Sequence, residues 1–76
     1  MFETLVNTIV NYVEVDPESI TRDSRLVEDL GLTSFDIMSM LGELEDTLEV
    51  EIEQADAAQI VTVGDAVDYL ETLVQE

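Results

Sequence analysis

Apolar residues recur at Ile37, Leu41, Leu44 and Leu48, spacings of four, three and four, with mostly polar positions between them. At 3.6 residues per turn these four share one side of a helix, whereas a strand would scatter them over both faces. Just ahead stands Thr33-Ser34-Phe35-Asp36, in which Thr33 suits the N-cap and Asp36 the N3 place of a shortened capping box. Gly42, inside the stripe, costs roughly 1 kcal/mol relative to Ala. The same pattern predicts two more helices. Leu5, Val6, Ile9, Tyr12 and Val13 mark one over about residues 3–14, which Asp16-Pro17 stops because Pro restricts the residue before it. Thr62-Val63-Gly64-Asp65 repeats the capping arrangement ahead of Val63, Ala66, Val67, Leu70 and Leu73 or Val74. Between the second and last helices, LEVEI alternates and reads as a strand-like connection, and a short helical turn follows at about 56–60. These elements predict an all-α fold, a small four-helix bundle of three longer helices and one short one. A long loop, 15–33, joins the first two helices; Ile20, Leu26, Leu30 and Leu32 are spaced to pin it to the core. Core positions are expected at Ile37, Leu41, Leu44, Leu48, Ile52, Ile60, Val67 and Leu70.

The 76 residues make a single domain, 1–76, and a hydrophobic share of 46% is enough for a core, too much for a disordered acidic tail. Its aromatic residues are only Phe2, Tyr12, Phe35 and Tyr69, so Leu, Val and Ile do most of the packing. No apolar run approaches the roughly 20 residues of a membrane span. The opening MFETLVNTIV has neither a basic region nor a small-residue cleavage site, and there is no cysteine. A cytoplasmic protein is expected. Nineteen Asp and Glu against Arg22 and Arg25 give a formal charge of −17. Such a surface repels nucleic acid and anionic membranes. It suits protein partners with basic patches, offers carboxylates to divalent cations, and by self-repulsion favours a monomer.

Catalysis is poorly provided for. A serine nucleophile needs a neighbouring base, and the chain has no histidine, lysine or cysteine to supply one. His- or Cys-based metal sites are ruled out by composition. The segment DSRLVED lacks the alternating ligands and central Gly of an EF-hand loop, and glycines at 31, 42 and 64 form no phosphate loop. The expectation is a protein that is not an enzyme. Ser34 nonetheless stands in the first turn of a helix, where free N–H groups and the positive dipole end favour a phosphate ester on its hydroxyl. On position alone, an ordinary first-turn residue beside a Thr cap is the simpler account.

Taken together, V-E-D-L-G-L-T-S-F-D with its following apolar helix, L-E-D-T-L-E-V-E-I, a short turn and I-V-T-V-G-D-A-V-D-Y-L resemble an acyl carrier protein over nearly the whole chain. The resemblance implies that Ser34 carries a covalent 4′-phosphopantetheine arm. A phosphopantetheinyl transferase adds the arm from coenzyme A, and its thiol holds acyl groups as thioesters for fatty-acid, polyketide or related biosynthesis. Ser34 then needs no base of its own, because the transferase supplies the chemistry. Departures are specific. The family's usual Asp-Ser-Leu is Thr33-Ser34-Phe35 here, which keeps the cap, removes one negative charge and enlarges the apolar neighbour. A family position that is often Glu is Ser39, and one that is often Met is Gly42, which points to a specialised carrier.

The resemblance also makes the second helix a docking face for basic patches on the transferase and on acyl-transferring and condensing enzymes. Phe35, Asp36, Met38, Ser39, Glu45 and Asp46 are its expected residues, with Glu43 and Glu49 nearby. The same carboxylates also fit the plain solvated side of an amphipathic helix. In the family an acyl chain can slip between the second and third helices; Met38 and Met40, unbranched and adaptable, are candidates to line that channel, or simply surface or gap-filling residues. The rival reading is an acidic interaction module, an inhibitor or mimic, with a carrier-like fold and no prosthetic group. Ser34→Ala would silence a carrier, whereas Lys at positions 45 and 46 would silence a charge-driven module. A carrier-like fold that has lost priming is a third reading.

Overall fold

The computed structural model describes residues 1–74. Helix α1, Phe2–Ile9, is followed by a 3₁₀ turn, Pro17–Ser19, then α2, Ser34–Leu48, α3, Gln54–Ala57, and α4, Val63–Leu73. The fold is an all-α bundle. Among the described residues the only ladder contact is one antiparallel bridge, between Arg25 and Thr62.

Both capping boxes form. Thr33 and Asp36 exchange backbone-to-side-chain hydrogen bonds at 3.1 Å each, and Thr62 and Asp65 do so at 3.0 and 3.1 Å. Each box satisfies orphan donors at a helix start and fixes where α2 and α4 begin. The expected first helix, 3–14, ends as an α-helix at Ile9. From there the N–H groups of Asn11 and Tyr12 reach back only three residues, to Thr8 and Ile9 carbonyls, so the chain tightens into turns. Thr8 Oγ1 also donates to the Thr4 carbonyl at 3.0 Å, a back-bond that loosens the last helical turn. Pro17 therefore does not stop a helix. It opens the 3₁₀ turn, where its fixed φ fits and the Asp16 carboxylate accepts from Glu18 N–H at 2.9 Å.

The buried face of α2 keeps the expected stripe and widens it by Met40. Met40, Leu41 and Leu44 are buried, Met40 completely, while Ile37 and Leu48 are half-buried flanks. Residues 37, 40, 41, 44 and 48 make the wider band of a helix covered on more than one side. Met40 is thus core. Past Leu48, Glu49 takes left-handed φ and ψ of 55° and 48°, and both Glu49 and Val50 donate to the Glu45 carbonyl. The Glu45 carboxylate then accepts from Ile52 N–H at 2.7 Å. The alternation of LEVEI survives, with Val50 and Ile52 half-buried and Glu51 and Glu53 exposed, but no strand among the described residues pairs with it. The short helix begins earlier than the expected 56–60, at Gln54, because Glu53 is the extended residue that starts it; 58–60 follow as tight turns.

The long loop is pinned as its leucines predict: Ile20, Leu26, Leu30 and Leu32 are all buried. It is also stitched to α4. Leu26 N–H donates to Val61, Val63 N–H to Ser24 and Gly64 N–H to Arg22, at 2.9, 2.9 and 2.8 Å, and the Arg22 guanidinium pairs with Asp68 at 2.8 Å. Gly64 permits that approach, since a Cβ there would sit 3.0 Å from the Arg22 carbonyl oxygen. Leu5, Val6 and Ile9 of α1 and Val63, Ala66, Val67 and Leu70 of α4 complete the core. Of the other expected core positions, Ile52 and Ile60 are only partly buried against it.

Candidate functional site

Thr33 is extended, with φ and ψ of −89° and 167°, and hands the chain into α2 so that Ser34 is the first helical residue. The capping box holds this turn from both sides, and Ser34 itself is exposed. Asp36, the carboxylate closest to it in sequence, is occupied by the Thr33 N–H. Ser34 thus presents an unactivated hydroxyl at the positive end of a 15-residue helix.

Ser34 lies on the rim of an apolar groove of about 500 Å³. One wall is α2, through Ile37, Met38 and Leu41; the other is α3 and its following turn, through Gln54, Ala57 and Ala58. Val27 from the long loop and Ile60 close it. The exposed large hydrophobics are Val27, Phe35, Met38 and Val61, at 54, 76, 61 and 55% exposure. Two of them line the groove, and the other two are chain neighbours of its lining residues Ser34 and Ile60. Exposed apolar surface at and next to a groove is the kind that binding sites present.

The expected docking residues divide. Phe35, Met38 and Asp46 are exposed, and Ser39 is half-buried. Asp36 and Glu45 are engaged internally, one in the capping box and the other with Ile52 N–H. Glu43 accepts from the Tyr12 hydroxyl at 3.4 Å, and burial, then Glu43, raises that phenol's pKa. Glu49 is exposed. Of the methionines named for a channel, Met38 lines the groove and Met40 is buried in the core. Val27, Gln54, Ala57 and Ala58 were not foreseen as groove residues. Val27, a valine set between Leu26 and the acidic pair Glu28-Asp29, was the one visible hint. Arg25 pairs with Glu28.

No three His, Cys, Asp or Glu side chains among the described residues are disposed to hold a metal ion. No helix among them is long and apolar enough to cross a membrane.

A family model described as a phosphopantetheine attachment site matches residues 3–70. The chain is 38% identical to the acyl carrier protein of Wolinella succinogenes, covering 95% of each chain. It is 40% identical to that of Clostridium perfringens, covering 92% of each. The solved structure of an acyl carrier protein from Enterococcus faecalis superposes with a TM-score of 0.82 at 32% identity, over 95% of this chain and 91% of that one.

Proposed function

The chain belongs to the acyl carrier protein family and has its phosphopantetheine attachment domain, and on that footing we propose that Ser34 is the residue that carries the arm. The observation that carries this reading is the meeting of two features at one residue. Ser34 is an exposed hydroxyl at the capped start of α2, and it also sits on the rim of the apolar groove. The arm, 4′-phosphopantetheine, supplies a thiol that holds acyl groups as thioesters, chemistry that a chain without cysteine cannot provide.

The residues present fit such a group. A phosphodiester on Ser34 Oγ would lie at the N-terminus of α2, where backbone N–H groups and the helix dipole favour negative charge. The Thr33–Asp36 box holds the turn, so the hydroxyl is offered in one place without a base beside it. The proton on Oγ must be taken by the modifying enzyme, since Asp36 is engaged by Thr33. The groove's aliphatic wall, with Ile37, Met38 and Leu41, suits an acyl chain by removing it from water. The role is that of a carrier rather than a catalyst, working among fatty-acid, polyketide or related enzymes of the cytoplasm.

Partner enzymes would read the rim and the outer side of α2. Phe35 and Met38 offer apolar contact beside Ser34, and Asp46 and Glu49 offer carboxylates without internal partners among the described hydrogen bonds. Basic patches on a transferase or a condensing enzyme complement them, which speeds encounter more than it deepens affinity. Asp36 and Glu45 serve first to shape the site. The test is intact mass after incubation with coenzyme A and a broad-specificity phosphopantetheinyl transferase. The expected result is a gain of one phosphopantetheine on the wild type and none on Ser34→Ala; no gain on folded wild type, or a gain on the variant, overturns the assignment.

A further inference from the structure

The groove's second wall is its least secured part. Helix α3 is four residues long, its N-cap Glu53 makes no side-chain cap bond, and none of its residues is fully buried, Ala57 alone packing its small methyl partly against the core. Its backbone hydrogen bonds run only to its own segment, 53–60. A helix this short does not hold its place by propensity or by its own ladder. Yet Gln54 and Ala57 must stand opposite α2 for the groove to exist.

One hydrogen bond, among the described residues, ties α3 itself to another helix. The Tyr69 hydroxyl of α4 donates to Asp56 Oδ2 at 2.9 Å, and the pair is partly shielded from solvent. Asp56 and Tyr69 line a second, smaller hollow of about 220 Å³, whereas Gln54 and Ala57 line the groove, so α3 stands between the two. The anchor is sound at the α4 end. That helix is capped, has Val67 and Leu70 in the core, and is stitched to the long loop through Gly64 and Arg22. Burial, and then the Asp56 carboxylate, raises the Tyr69 pKa, so the phenol keeps its proton and remains a donor. A hydroxyl-to-carboxylate bond is among the stronger kinds a protein makes.

We infer that Tyr69 is a positioning residue: through its hydrogen bond to Asp56 it holds α3 at α4 and so sets the wall of the Ser34 groove. Where Ser34 carries cargo, a point that rests on the function proposed above, the same bond determines how well an acyl chain is kept from water. Tyr69→Phe removes the hydroxyl and keeps the ring.

The first arm uses the unmodified protein. Amide hydrogen exchange over residues 54–60 should quicken about tenfold in Tyr69→Phe, the local cost of a lost hydrogen bond, while α1, α2 and the core of α4 keep their protection. Asp56→Ala should match it, and the double variant should be no faster than either single one, because the two side chains act as one unit. Asp56→Asn, whose amide oxygen still accepts, should keep most of the protection. Exchange over 54–60 that stays within about twofold of wild type in Tyr69→Phe overturns the inference. The second arm compares thioester cleavage by neutral hydroxylamine on protein loaded with octanoyl or acetyl groups. Tyr69→Phe should lose octanoyl several-fold faster than wild type and acetyl at an equal rate, the acetyl group being too short to need the groove. Equal octanoyl rates overturn the sheltering role. A wild type that takes no arm at Ser34 instead overturns the function proposed above, and the exchange arm still decides the tether.

Discussion

Two glycines in helical backbone should respond in opposite directions to the same substitution. Gly42 lies inside α2, and a Cβ built there meets no heavy atom within 4 Å. Ala at that place gains helix propensity of about 1 kcal/mol with nothing to set against it. Gly64 is in the first turn of α4, where a Cβ would stand 3.0 Å from the Arg22 carbonyl oxygen and 3.3 Å from Arg22 Cβ. That carbonyl already accepts from Gly64 N–H at 2.8 Å, so the new methyl pushes away the acceptor that its own backbone uses. The neighbouring chain has little freedom to yield, being tied by Val63 N–H to the Ser24 carbonyl and by Arg22 to Asp68. A weakened hydrogen bond costs about 1 kcal/mol and crowding about 1–3 kcal/mol, more than the propensity gained in a first turn. The net expectation for Gly64→Ala is a loss of about 1–3 kcal/mol. For a chain of this length Tm moves about 4–8 °C per kcal/mol. Gly42→Ala should therefore raise Tm by about 4–8 °C, and Gly64→Ala should lower it by a similar amount or more. Urea titrations at fixed salt and pH should show the same order in midpoint with slopes unchanged. Equal or greater stability of Gly64→Ala relative to Gly42→Ala would refute the close approach of the long loop to α4.

Two predictions concern charge. With a formal charge of −17 and, among the described residues, only two ion pairs, both largely exposed, screening should relieve far more repulsion than it removes attraction. Tm should rise with added NaCl or Mg²⁺ in thermal melts, and a flat or falling Tm would contradict this. Asp65 accepts from Thr62 and Val61 N–H groups, chiefly the former, which lowers its pKa. Its stabilising contribution is therefore full above the unfolded carboxylate value of about 3.9 and is lost as pH falls through the lower folded value. Asp65→Asn should lose less stability than wild type across that acid limb, and identical limbs in pH-dependent melts would contradict the assignment.

What was legible in the sequence was local. Thr33-x-x-Asp36 and Thr62-x-x-Asp65 state a helix start in four residues, and both boxes form as written. The leucines of the long loop are read correctly because nothing but a core explains them at those spacings. Boundaries set by backbone competition were not legible: Thr8 back-bonding and three-residue turns end α1 before Pro17 has any say. Met40 escaped because methionine serves surface, gap and core equally well, and its burial depends on what covers α2 from a second side. The groove was the hardest feature to read. Its walls come from the long loop, α2, α3 and the turn after it, segments that no periodicity connects. One charge of α2 misled for a similar reason. Glu45 looks like a surface carboxylate by spacing, and only the folded chain brings Ile52 N–H to it, whereas the Thr33–Asp36 bond was already written in the capping box.

Exposed apolar surface and strong negative charge belong together in this molecule. Val27, Phe35, Met38 and Val61 would invite self-association on a neutral protein, because exposed apolar patches are sticky. On the proposed reading each copy would meet another across a field of like sign, which would keep the mouth of the groove open to a partner of opposite sign. On the proposed reading this sets two requirements for a client enzyme: a basic surface for Asp46 and Glu49, and an apolar recess for Phe35 and Met38. The internal use of Asp36 and Glu45 narrows the first requirement to fewer carboxylates than the sequence displays. Recognition then leans on apolar contact around Ser34 and on Asp46 and Glu49, rather than on the acidic count of α2 as a whole.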